Sequence, residues 1–308
     1  MKITGIVCEY NPFHNGHLYH LKKTRENGAT HIVAVMSGNY VQRGDTAVMD
    51  KFERAKLAVK GGADLVIEIP TVYALSSAEF YAKGAIYILD SLGCVDEISF
   101  GSEAGSVSEL EKAAEIADEC SGAPELEEYL KSGMSYPNAI NTMIYSSYGK
   151  KLSNRISDIL ASPNNVLAVE YLKALRRLNS SITPFTIQRK SAAHDSMTVL
   201  DGISSASYIR KCMNEKSDFS GLVPAYVSQA YINAYSAGKT ADISNLERII
   251  IYKLRTSSPE ELREIPDVGQ GLEYRILAAA DKNNLDEIFM SIKTKRYTMA
   301  RIKRILLN

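Results

Sequence analysis

The sequence predicts an α/β fold: a doubly wound parallel sheet followed by a mostly helical C-terminal region. Three observations carry this prediction. From Ile3 to Gly101, apolar runs of strand length alternate with segments of helical periodicity. Pro70 and the glycines at 61, 62 and 93 punctuate those runs. After Gly101 the helical period dominates, interrupted by one late apolar strand.

The elements follow in order. "ITGIVC" (3–8) is the first strand, and a helix follows from about Gly16. "HIVAVM" (31–36) is the second strand. "MDKFERAKLAVKGG" (49–62) is a helix with Asp50 as N-cap and glycines at its end. "DLVIEI" (64–69) is the third strand, stopped by Pro70, and "SSAEFYAKGAIYILDSLG" (76–93) is the next helix. "DEISFG" (96–101) is the fourth strand. Helical periodicity then marks Ser106–Cys120, Pro124–Lys131, Tyr136–Tyr148 and Asn165–Leu178. "TPFTIQR" (183–189) is a fifth strand, and "ISSASYIRKC" (203–212) opens a helix capped by Ser204 or Ser205. The polar stretch "NEKSDFSG" places a boundary near residue 215, giving domains 1–215 and 216–308. The chain stops in "RYTMARIKRILLN", an amphipathic helix with Ile305, Leu306 and Leu307 still to bury. Either that helix packs back on the body, or the sequence is a truncated piece.

Composition bounds the function. A chain of 308 residues, 45% hydrophobic and 23% charged, builds a sizeable core and has room for two domains. No apolar run approaches the roughly 20 residues of a membrane span. "MKITGIVCEY" lacks the parts of a signal peptide and reads as the first core strand of a cytoplasmic protein. Cys8, Cys94, Cys120 and Cys212 lie far apart, form no C-x-x-C pair, and read as small buried hydrophobes. The zero net charge hides an asymmetry. From Asp90 to Leu130 there are twelve acids against Lys112 alone, a solvated helical face. Lys293, Lys295, Arg296, Arg301, Lys303 and Arg304 form a run without an acid. That run suits nucleic acid phosphates, or a solvated helix end where cations favour the dipole.

"EYNPFHNGHLYHL" (9–21) holds His14, His17 and His20, three of the five histidines. Metal, phosphate and plain surface chemistry all compete for them. A metal needs three or four convergent ligands, and neither a cysteine pair nor H-E-x-x-H supports these histidines. The phosphate reading accounts for more. His14-Asn15-Gly16-His17 follows the first strand, where open α/β sheets bind ligands. Gly16 lets a nucleotide approach the backbone, and the next helix points free N–H groups at an anion. The two histidines can donate to phosphate oxygens as charge builds there. Pro12 stiffens the loop, and His20 flanks it. His31 reads as structural, and His194 stands open.

Downstream features fit the same chemistry. Gly101 ends the fourth strand. Asn164 and Asn165 start a helix, where they either cap it or bond a base or ribose. Ser204, Ser205 and Arg210 suit a pyrophosphate, or else a capped helix with an exposed arginine. Arg189, with Lys190 beside it, closes the late strand as an ATP contact or as a surface cation.

The early H-x-G-H and the late "ISSASYIR" (203–210) resemble the H-x-G-H nucleotidyltransferase superfamily, with Ala206 where Ser or Thr is usual. That resemblance implies a Rossmann-like nucleotidyltransferase core and attack on the α-phosphate of a nucleotide. "VCEYNPFHNGHLYHL", "SGNYVQRGDTAVMDKFERAKLAVKGGADLVIEIP", "SFGSE", "SPNNVLAVEYLKAL" and "KTKRYTMARIKRILL" are similar, across nearly the whole chain, to the bacterial tRNA(Met) cytidine acetate ligase family. Cys8 departs from the small or apolar residue expected there, and family members continue past this chain's end.

The resemblance implies acetate attacking ATP to give acetyl-adenylate. The wobble cytidine of elongator tRNA(Met) then takes the acetyl group as N4-acetylcytidine, releasing AMP. It implies an ATP loop of Val7, Cys8, Glu9, Tyr10, Asn11, Pro12, Phe13, His14, Asn15, Gly16, His17, Leu18, Tyr19 and His20. Gly101 and Asn164 meet the nucleoside with Asn165 as helper, and Arg189 and Lys190 meet ATP. Ser204, Ser205 and Arg210 meet the leaving pyrophosphate. Gln42 and Arg43 approach the acceptor, Arg43 steering acetate or a tRNA phosphate. Arg296, Arg301 and Arg304 contact tRNA, making 216–308 a candidate tRNA-binding domain. Mg2+ is chemically expected with a triphosphate, although no dedicated carboxylate site stands out. Other readings use the same histidines: a nucleotidyltransferase or carboxylate–amine ligase on a small metabolite, or a non-catalytic nucleotide-sensing RNA-binding protein. A dehydrogenase lacks support, because the first turn has no G-x-G-x-x-G.

Overall fold

The computed structural model describes residues 1–134, 136–189 and 202–308. Its sheet contains β1 (Ile3–Cys8), β2 (His31–Ser37), β5 (Leu65–Ile69), β6 (Glu97–Ser102) and β7 (Thr183–Gln188). A small hairpin, β3 (Tyr40–Val41) and β4 (Asp45–Thr46), stands apart from it. The sheet order is β5-β2-β1-β6-β7, all parallel. Every strand expected from the apolar runs is present.

Burial alternates along the strands. Val33 and Val35 of β2 enter one core, and Ile32, Ala34 and Met36 enter the other. A strand buried on both faces reads as a continuous apolar run, as "HIVAVM" does. The first core lies under the helices Ala78–Ser91, Val107–Gly122 and Pro163–Arg177. The second lies under Asn15–Glu26, Lys51–Lys60 and Ala225–Ser236. Apolar contact with the sheet layer therefore continues past residue 215, through Val223, Val227 and Tyr231. A third core, from Ile250 to Ile305, joins the C-terminal helices to one another.

The helices after β1 and β2 pack on one face and those around β6 on the other, the arrangement that the right-handed rule for parallel crossovers leads one to expect. The winding direction thus reverses between β1 and β6, and the loop leaving β1 opens onto that crevice.

Four details differ from the sequence reading. "NYVQRGDT" forms the hairpin, pairing Tyr40 with Thr46 and Val41 with Asp45. Residues Thr71–Ala74 form a separate short helix. The helix from Tyr136 resumes beyond Tyr148 and runs to Leu160, broken at Gly149, whose φ of 77° is left-handed. Cys94 is exposed, whereas Cys8, Cys120 and Cys212 are buried. The last helix, Met299–Leu307, packs back on the body: Asn308 Nδ2 donates to the carbonyl of Leu75 at 3.0 Å. Among the described residues, no helix is long and apolar enough to cross a membrane.

Candidate active site

A cavity of about 700 Å³ opens at the carboxyl ends of β1 and β6. Its floor is the turn from β1 into the helix Asn15–Glu26, which sets both histidines. His14 is the N-cap, and its Nδ1 accepts from Gly16 N at 3.0 Å. His17, one turn on, accepts from His14 N through its own Nδ1 at 3.2 Å. The two rings stack with centroids 3.6 Å apart. With both Nδ1 lone pairs taken by backbone N–H groups, the neutral rings carry their protons on Nε2. Each therefore presents a donor.

Charge state follows from burial. Desolvation, reinforced by Arg189 and Arg210, holds His14 down at about 3. Desolvation, then His14 and Arg189, holds His17 well below its ordinary value. Two neutral stacked imidazoles avoid the repulsion of two imidazolium rings. Gly16 serves this stack: a Cβ there would lie 2.9 Å from His14 Cε1 and 3.4 Å from Ile203. The glycine, which itself lines the cavity, makes room for the histidine ring, a role the spacing did not reveal.

The structure gathers most of the expected residues around the cavity: Val7, Cys8, Glu9, Tyr10, Asn11, Tyr19, His20, Gln42, Arg43, Gly101, Asn164, Arg189, Ser205 and Arg210. Arg210 donates to the carbonyl of Asn11 at 2.8 Å and to Ser207 at 3.3 Å, tying the late helix to the β1 loop. Ser205 caps that helix, accepting from Tyr208 N at 3.1 Å. Gly101 lets the Arg189 stem cross β6, since a Cβ there would lie 3.3 Å from Arg189 Cγ. His20 is anchored sideways, its Nε2 at 2.9 Å from Ser99 Oγ, and burial lowers it to about 4.

Other expected residues serve the frame instead. Asn15 donates to the carbonyls of Gly202 and Gly221 at 3.0 and 2.9 Å. Asn165 is buried, and its Oδ1 accepts from Glu103 N and Ala104 N; its neighbour Asn164, which does line the cavity, is steadied by donating to Glu103 at 2.6 Å. Phe13 is fully buried in the second core, and Leu18 points outward. Pro12 and Ser204 do not line the cavity, and the buried Ser204 hydroxyl has no partner among the described residues. Lys190 and His194 lie outside the described residues.

The basic run divides. Arg304 is buried, donates to the carbonyl of Gln42 at 3.3 Å and meets Asp267 at 3.7 Å. It anchors the helix and is no exposed cation for RNA. Arg301 donates to the carbonyl of Asp267 at 2.6 Å, and Arg296 donates to Gln270. Lys293 and Lys295 are exposed.

Sequence reasoning missed the cavity's aromatic and C-terminal walls. Tyr81, Phe100 and Tyr171 line it from the first core. Met299, Ala300 and Lys303 line it from the last helix, and Lys303 Nζ lies 3.4 Å from Asp45 of β4. Arg54 was also missed: it is fully buried behind the β1 turn. It donates to the carbonyls of Glu9 and Gly38, to that of Ser37 at 2.9 Å and to that of Met49 at 3.2 Å. Its place in "KFERAK" among other charges disguised it as a solvated residue.

Comparisons with known proteins converge. The HIGH Nucleotidyl Transferase family matches residues 1–308. A tRNA(Met) cytidine acetate ligase of Thermoanaerobacter sp. (strain X514) is 45% identical, over 100% of this chain and 77% of its own length. One from Alkaliphilus metalliredigens is 40% identical, over 99% and 76%. The apo crystal structure of Thermotoga maritima TmcAL superposes with a TM-score of 0.92 at 33% identity, covering 100% of this chain and 74% of that one. A second Thermotoga maritima TmcAL structure, bound with alpha-thio ATP, gives 0.90 at 34% identity with the same coverage.

Proposed function

Because the chain belongs to the HIGH nucleotidyl transferase family and, within it, to the tRNA(Met) cytidine acetate ligases, we propose the following reaction. It activates acetate with ATP and transfers the acetyl group to the wobble cytidine of elongator tRNA(Met). The observation that carries this reading is the pair of neutral histidines, each fixed as an Nε2 donor in a cavity with Arg189 and Arg210.

The chemistry follows from those groups. An acetate oxygen attacks the α-phosphorus, and pyrophosphate leaves. Charge grows on the phosphate oxygens, where preorganised donors gain most. His14 and His17 present such donors without reorganising, because the backbone holds their other nitrogens. Arg210, fixed to the Asn11 carbonyl, and Arg189 offset the charge of the departing pyrophosphate. Ser205 and Ser207 lie beside Arg210 at the start of the late helix. Gly101 and Asn164 face the nucleoside, between the walls made by Phe100 and Tyr171. The mixed anhydride then reacts with the cytidine N4 amine, giving N4-acetylcytidine and AMP.

Mg2+ accompanies the triphosphate in this reading. Among the described residues no three metal-ligating side chains gather, so the nucleotide's own oxygens would supply most of its ligands. Residues 1–215 carry the ATP chemistry, and 216–308 present the tRNA-facing helices of a cytoplasmic enzyme. Gln42 and Arg43 stand at the acceptor side of the cavity.

The test supplies ATP, a panel of carboxylates and elongator tRNA(Met), then measures pyrophosphate release and N4-acetylcytidine in digested tRNA. Acetate-dependent release with modified cytidine is the expected result. Release without modified cytidine would leave the nucleotidyltransferase chemistry standing and sink the tRNA assignment.

A further inference from the structure

Amide formation releases a proton. The cytidine N4 amine attacks the acetyl carbon, the C–N bond forms, and the bond from that carbon to the adenylate oxygen breaks. AMP departs with the electron pair, and the nitrogen must lose one hydrogen. The groups described above leave few places for it.

Neither reactive histidine suits the task. Each Nδ1 lone pair is already taken by a backbone N–H, and each Nε2 carries its proton. His20 Nε2 is engaged with Ser99. Tyr81, Tyr171 and Cys8 are pushed up by burial, so they hold their protons at neutral pH. Two carboxylates line the cavity, Glu9 and Asp45, and Asp45 faces the Lys303 ammonium at 3.4 Å.

Glu9 is held differently. Its backbone carbonyl accepts from the buried Arg54. One carboxylate oxygen, Oε1, accepts from Gln42 N at 2.7 Å. The residue is thus fixed at both ends, lining the cavity with Gln42 and Arg43, and its charge is felt by the Arg54 and Arg210 guanidinium groups. A carboxylate there opposes the binding of triphosphate and of acetate, both anions. Its presence is understandable if it serves the step whose nucleophile is an amine.

We infer that Glu9 is the general base of acyl transfer, taking the proton from the cytidine N4 amine as the acetyl C–N bond forms. This rests on the acetate-ligase reading above.

Glu9→Gln tests it in the full chain, because glutamine keeps an oxygen for the Gln42 N–H and loses the basic one. Two rates are compared with wild type. The first is acetate-dependent ATP–pyrophosphate exchange, which reports adenylate formation. The second is single-turnover acetyl transfer to elongator tRNA(Met) from preformed, enzyme-bound acetyl-adenylate. Transfer should fall about 100-fold or more, at least about tenfold further than exchange, which registers any effect of the change on the ATP loop. Glu9→Asp should recover part of the transfer. Equal losses in both rates, or Glu9→Asp as impaired as Glu9→Gln, would reduce Glu9 to a support for the loop and overturn the inference. Undiminished transfer in Glu9→Gln would overturn it as well. A wild-type enzyme that exchanges pyrophosphate yet acetylates no tRNA fails the underlying reading, whatever the variants do.

Discussion

At the scale of single residues, the His14–His17 stack makes two predictions. Replacing either histidine by Ala removes one preorganised donor to the phosphates. Acetate-dependent pyrophosphate exchange should fall about 100- to 1,000-fold, with the far-ultraviolet circular dichroism spectrum unchanged. The second prediction concerns acid. His14 is held at about 3 in the fold against 6.5 ordinarily, so between those values the unfolded chain binds a proton that the native one refuses. Its stabilising effect is complete above about 6.5 and is lost as pH falls toward 3, at about 1.4 kcal/mol per pH unit. His14→Asn should flatten the acid slope of the urea-unfolding free energy by about that amount between about pH 6 and 4. The position of this pair after the first strand was legible in the sequence, because strand, turn and helix are local patterns. The work of Gly16 was not. Whether a missing Cβ admits a ligand or a neighbouring ring depends on χ angles that no spacing encodes.

At the scale of elements, two connections hold the β1 turn. Arg54 joins the carboxyl ends of β1 and β2 through the carbonyls of Glu9, Ser37 and Gly38, and also holds that of Met49 just before its own helix. Arg54→Met leaves those carbonyls without their donor in a buried place, and should cost at least about 3 kcal/mol in denaturant unfolding. The last helix holds the hairpin from the other side. Gly44 has φ 73°, and a Cβ there would lie 2.5 Å from Arg304 N. Gly44→Ala should therefore lift the helix from the hairpin, cost about 1–3 kcal/mol by the same measurement, and impair transfer to tRNA more than adenylate formation. The strands and most helices were legible because their apolar periods are intrinsic to each segment. Arg54, Tyr81 and Tyr171 were not: their burial comes from segments distant in sequence, and a charged helix reads the same whether loops cover it or water does.

At the scale of the whole molecule, a neutral chain presents separate charged regions. The acids between Asp90 and Leu130 include several exposed ones on the helices around Val107–Lys131. The exposed Lys293 and Lys295 lie at the opposite sign, just before the helix that walls the cavity. Lys293→Glu with Lys295→Glu should weaken tRNA binding and reduce the slope of log K against log salt by about one per lost phosphate contact. Filter binding across a salt series checks this. Arg304 belongs outside that set, since reversing a buried anchor would damage the fold. The wall itself has a further meaning. Met299, Ala300 and Lys303 close one side of the cavity proposed to hold the reactive anhydride, and the same helix continues from the basic run. Loosening it opens a route for water to spend the activated acetyl group. The measure of such leakage is stoichiometric: ATP consumed per acetylcytidine made. In Gly44→Ala that ratio should rise above the wild-type value, even where each turnover still begins normally.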